Sequence, residues 1–116
     1  MATGRSDVMT KAYTKQLKNA DIVIGCDGAV IRNIRTGEIL YENHLSSETC
    51  HKTFEICKKY GLQYYVFAKD ELVSDDPHNE RFLIHQKFNQ TVAKDEEIPM
   101  RIVDDLNEYV KEHIIY

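Results

Sequence analysis

The chain has 116 residues and a formal net charge of −4, enough for one modest core and too short for a complete two-domain enzyme. Acidic and basic residues are interspersed, so no Lys/Arg stripe offers the footprint of a nucleic-acid binder, and no apolar run approaches the roughly 18 residues of a membrane span. The opening "MATGRSDVMTKAYTK" lacks the apolar centre of a signal peptide, and the cysteines show no CxxC spacing, so a reducing, cytoplasmic location is expected.

The expected order is helix, strand, hairpin, helix, hairpin, helix, helix. Val8, Ala12 and the Leu17 region recur at helical intervals after Ser6-Asp7, a suitable N-cap pair. Residues 22–25 form a short buried strand. "AVIRNIRTGEILYE" reads as a hairpin with arms 29–33 and 38–42, turning through Thr36-Gly37. "SSETCHKTFEICKKYG" is a helix capped by Ser46 or Ser47, with Cys50, Phe54 and Cys57 on one face and Gly61 at its end. Cys50 and Cys57 stand ~10 Å apart along that helix, too far for a disulfide, and are expected in the core. The five histidines form no HxxxH or HExxH pair, so zinc is not expected.

"LQYYVFA" (62–68) and "ELVS" (71–74) supply two strands turned at Lys69-Asp70. "DDPHNE" then starts a helix, with Asp75 or Asp76 as cap and Pro77 in the first turn. Pro99 precedes a last amphipathic helix carrying Ile102, Val103, Leu106 and Val110, and "HIIY" opens a further strand. Asp75-Asp76 and Asp104-Asp105 read as helix capping and as a solvated helix face, not as metal ligands.

The strand exit "IVIGCDGAVI" places a carboxylate beside a glycine, which raises the question whether Asp27 is a nucleophile. Three features in order bear on it: "ATGR" at 2–5, "IxxxxDGA" at 24–29, and a hairpin closing on "TGEILYENHL" before a capped helix. Together they resemble the Cof-type, sugar-phosphate-phosphatase-like branch of the haloacid dehalogenase superfamily. There a strand ends in Thr/Ser-Gly-Arg, a helix follows, and the next strand ends in Asn-Gly-Ala before a hairpin and an inserted, mobile α/β cap. The family's nucleophile lies in Asp-x-Asp-Gly-Thr. Here Gly25 stands two residues before Asp27, and Ala29 stands where the threonine would. Asp27 is therefore expected at the family's asparagine position, or simply in a turn that ends the strand.

The resemblance implies an α/β fold: a short strip of Rossmann-like core with a β-hairpin over 1–43, then part of an α/β cap over 44–116, its helices on a mainly antiparallel sheet. It implies that Thr3 binds the transferring phosphoryl group, and that Gly4, Arg5, Asp27 and Gly28 contact substrate. Short neutral donors beside a glycine suit a phosphoryl group whose charge spreads over its oxygens. By the same resemblance the intact enzyme is a Mg²⁺-dependent phosphatase of small phosphorylated metabolites, working through an aspartyl-phosphate. The nucleophile would precede Met1, and the lysine and metal ligands would follow Tyr116, so the chain alone is expected to be inactive. Expected partners are the metabolite and, through open strand edges such as the one at Ile114-Ile115, further copies of the chain. The alternative is a stand-alone, cap-derived α/β binding module without catalysis.

Overall fold

A computed structural model describes residues 1–116 as a mixed α/β protein with two three-stranded sheets. The first sheet is an antiparallel meander of β1 (Ile22–Gly25), β2 (Val30–Asn33) and β3 (Ile39–Glu42). Gly37 turns its hairpin at φ 78°, a left-handed conformation that glycine adopts without steric cost. Ahead of it, a 3₁₀ turn over Asp7–Thr10 runs into α1 (Lys11–Thr14).

This first helix is shorter than its periodicity suggests. Ser6 makes no capping bond, and Leu17 lies beyond the helix, exposed. Asp7 is not free to act at a helix end, because it is buried against the Arg32 guanidinium.

The second sheet has β5 (Leu72–Ser74) at its centre, antiparallel to β4 (Val66–Phe67) and parallel to β6 (Met100–Ile102). Helix α2 (Ser47–Lys59) starts as expected, with the Ser46 hydroxyl accepting from the Thr49 amide. Cys50 and Phe54 are buried in its core-facing stripe, Cys57 is half-buried, and no cysteine is bridged.

Four expectations change. Only Val66–Phe67 of the expected 62–68 strand joins the ladder. "DDPHNE" forms a turn, in which an Asp76 carboxylate oxygen accepts from the His78 amide, and Asn79 caps α3 (Glu80–Asn89). Residues 100–102 are strand rather than helix, because the edge of β5 offers them a parallel ladder, and tertiary pairing outweighs local periodicity. Asp105 is thereby freed to cap α4 (Leu106–Glu112), accepting from the Asn107 amide at 2.7 Å rather than lying on a helix face.

Ile115 is 2 % exposed and bridges both Leu45 and Ala68. The expected strand at "HIIY" does not form: Ile115 lies inside the fold in isolated bridges, and with Ala2 bridging Ile24 of β1 and Tyr116 bonded to Phe67 of β4, the sheet edges left open are β3 and β6. One core cluster packs α2 and α4 on the second sheet through Phe54, Leu106 and Val110. A second draws Val8 and Met9 from the N-terminal segment onto Leu72, Phe82 and Ile98. No helix is long and apolar enough to cross a membrane.

Candidate functional site

The N-terminal residues are tied to β1. Thr3 donates its amide to the Ile24 carbonyl at 2.9 Å, Ile24 returns one to Met1 at 2.8 Å, and Ala2 and Ile24 bridge in parallel. Thr3-Gly4-Arg5 and Cys26-Asp27-Gly28 therefore leave neighbouring parallel segments at the same, carboxyl end, the end where α/β sheets bind ligands. The two turns are laced together: Cys26 donates its amide to the Arg5 carbonyl at 2.9 Å, and Asp27 reaches Thr3 at 3.4 Å.

Two glycines make this closeness possible. A Cβ on Gly4 would lie 2.8 Å from an Asp27 carboxylate oxygen, and one on Gly25 would lie 2.8 Å from the Asp7 amide nitrogen. Neither position tolerates a side chain without movement. The second turn also carries strain, since Cys26 (φ 49°) and Asp27 (φ 53°) are left-handed and neither is glycine. Such conformations cluster where a structure holds functional groups in place.

Four of the five residues singled out in the sequence, Thr3, Gly4, Arg5 and Asp27, thus come together although more than twenty positions separate the two segments, while Gly28 follows Asp27 with open space where a Cβ would stand. The Gly4 amide makes no hydrogen bond within the protein. The Thr3 hydroxyl accepts from the Arg5 amide at 3.1 Å and keeps its own proton to donate. Two neutral donors, one on a residue with no side chain, are thereby available to an anionic oxygen, the arrangement that stabilises a phosphoryl group.

Cys26 offers no nucleophile. Burial, then the negative charges of Asp7 and Asp27, push its thiol up to about 11 against an opposing hydrogen bond from Ser6, so it is protonated at neutral pH. Ser6 and Asp7, which the sequence suggested only as caps, are 0 % and 4 % exposed. Asp7 pairs with Arg32, whose guanidinium also reaches Asp70 and the Lys69 carbonyl. A cleft of about 440 Å³ lies beside Asp7, but none of the five singled-out residues lines it. Of its cations, Lys15, Arg32 and Arg35 are paired with Asp95, Asp7 and Asp21 respectively, and Lys11 forms no ion pair.

The residues present do not fit Mg²⁺. Asp27 is the one carboxylate at the turn, Asp7 is committed to Arg32, and nowhere do three His, Cys, Asp or Glu side chains gather as ligands. Hard divalent cations need several oxygen donors, more than this turn supplies.

Several solved structures share this fold. A haloacid dehalogenase-like hydrolase from Bacteroides thetaiotaomicron superposes with a TM-score of 0.70 at 17% identity, over 96% of this chain and 40% of its own. One from B. subtilis gives 0.72 at 14% identity, over 99% and 46%. A phosphatase of the haloalkanoate dehalogenase superfamily, also from Bacteroides thetaiotaomicron, gives 0.56 at 15% identity, over 93% and 36%. The chain spans less than half the length of these structures. No curated protein matches it. The family model for haloacid dehalogenase-like hydrolases matches residues 1–115, and the chain belongs to that family.

Proposed function

We propose that this chain supplies the phosphate-binding turn and part of the cap of a phosphatase acting on small phosphorylated metabolites. The observation that carries the reading is the Thr3-Gly4 turn, with an unpartnered amide and a hydroxyl proton beside a position where a Cβ would press on the Asp27 carboxylate. Membership of a hydrolase family and likeness to a protein described as a phosphatase support the reaction class. Residues 1–43 contribute the strip of core and 44–116 the cap segment that selects the substrate.

The contribution of these residues is binding and positioning: the turn holds the phosphoryl oxygens while Arg5 meets the remainder of the substrate. Nowhere among them do three His, Cys, Asp or Glu side chains gather to hold the Mg²⁺ that the family resemblance implies. Hydrolysis of an aryl phosphate tests the reading. The chain alone gives no turnover. The chain joined to a relative's nucleophile and metal-binding segments turns over with added Mg²⁺, and Thr3→Ala lowers kcat of that chimaera by roughly 10²-fold, the scale of losing one oxyanion donor. Metal-dependent turnover by the chain alone, or a Thr3→Ala chimaera of full activity, contradicts it.

A further inference from the structure

Arg5 and Arg81 form no ion pair, whereas every other arginine in the chain is matched to a carboxylate. Both are exposed. Arg5 lies over the Tyr13 ring at 5.9 Å, and Tyr13 stacks on Phe88 of α3 with ring centroids 6.2 Å apart. Arg81, His85 and Phe88 recur on α3 at the spacing that shares one helical face. The chain of contacts Arg5–Tyr13–Phe88 therefore brings the residue that closes the phosphate-binding turn to the face of α3 that carries the second arginine.

His85 stands on α3 about one turn from Arg81 on one side and from Phe88 on the other. Its Nε2 lies 3.3 Å from the Tyr65 hydroxyl, and the two rings meet edge to face. Burial first, then the positive charges of Arg5 and Arg81, hold His85 below the usual histidine range, so at neutral pH it is an uncharged hydrogen-bonding group. Two unmatched guanidiniums around a neutral imidazole and a phenol leave positive charge uncompensated by any protein carboxylate. Planar guanidinium donors bind carboxylates and phosphoryl groups with charge-assisted hydrogen bonds.

We propose that Arg5, Arg81 and His85 recognise a second anionic group on the substrate, so that the metabolite carries a carboxylate or a further phosphoryl group besides the phosphate held at Thr3-Gly4. The proposal rests on the phosphate-binding reading of that turn. It assigns α3 a role in selectivity, because a substrate with a neutral body would leave both guanidiniums unmatched.

Two matched pairs of ligands test it on the chain as it stands: 2-phosphoglycolate against ethyl phosphate, and fructose 1,6-bisphosphate against fructose 6-phosphate. The first pair adds a carboxylate and the second a phosphoryl group. The doubly anionic member of at least one pair binds roughly tenfold more tightly, the scale of one charge-assisted contact. The titration midpoint of the His85 ring, followed by NMR, moves upward with that ligand alone, because a bound anion offsets the two arginine charges. Arg81→Gln, an exposed substitution outside the turn, removes both effects and leaves ethyl phosphate binding unchanged. Equal affinity within both pairs, with His85 unmoved, overturns the proposal while the turn reading stands. Failure of all four ligands to perturb the Gly4 amide overturns the turn reading and the proposal with it.

Discussion

Asp27 sets the charge of the turn. Its carboxylate lies against Gly4, so a phosphate drawn to the Gly4 amide meets a like charge within a few ångströms, where exposed charges still interact appreciably. Asp27→Asn keeps the shape and removes the repulsion. Inorganic phosphate is expected to bind roughly fivefold more tightly to that variant at low salt, with the gain shrinking as ionic strength rises; calorimetric titration at two salt concentrations reads both. Cys26 provides a pH-dependent counterpart. Its folded thiol titrates at about 11, against about 8.5 for an ordinary cysteine. The native state therefore holds the proton more tightly, and the stability this contributes is complete below the ordinary value and is lost as pH rises through about 11. Urea midpoints measured across that window should fall more steeply for the wild type than for Cys26→Ser, and at pH 8 the native thiol should react with iodoacetamide about a hundredfold more slowly than a free one.

At the level of elements, two caps of different burial give a graded test. Ser46 caps α2 at the surface, its hydroxyl bonding the amide and the hydroxyl of Thr49, and Ser46→Ala should cost about 1 kcal/mol. Asn79 is 1 % exposed, accepts from the Phe82 amide and donates to the Tyr64 carbonyl. Asn79→Ala also takes the partner from the half-buried Tyr64 carbonyl and should cost about 2–3 kcal/mol; urea unfolding at constant m-value compares the two. The difference between these caps also marks what was legible in the sequence. Elements set by local chemistry stand where the residues put them: the strand 22–25, the hairpin at Gly37 and the Ser46-capped helix. Those set by distant partners do not. Met100–Ile102 carries helical spacing yet pairs with β5, and Asp76 satisfies a turn while Asn79 takes the cap because Tyr64 lies within reach of its amide. The site divides in the same way. Thr3, Gly4, Arg5, Asp27 and Gly28 were visible as motifs, whereas Asp7 with Arg32, and Arg5 with Arg81 and His85, depend on contacts across the fold that carry no local pattern. The spacing of Arg81, His85 and Phe88 on one helix was the available clue.

Across the whole molecule, the N-terminal segment and the second sheet share a core. Val8 and Met9 pack with Leu72, Phe82 and Ile98, Tyr116 donates its hydroxyl to Glu42 at 2.8 Å, and Arg32 reaches Asp70. With 24 of 116 residues buried, neither half has core to spare, so the two should unfold in one calorimetric transition. Met9→Ala should lower that transition as a unit, by about 3 kcal/mol, whereas two resolved transitions would show that the halves are independent. The same shared core holds the turn against β1 and α3 beside Arg5, which makes phosphate binding by Thr3-Gly4 the claim on which the functional account rests. Titration of the isotopically labelled chain with inorganic phosphate, followed through its backbone amide signals, tests it most directly. A saturable shift of the Gly4 amide that is lost in Thr3→Ala is the predicted result; an unmoved Gly4 signal, or a shift that survives Thr3→Ala, would contradict it.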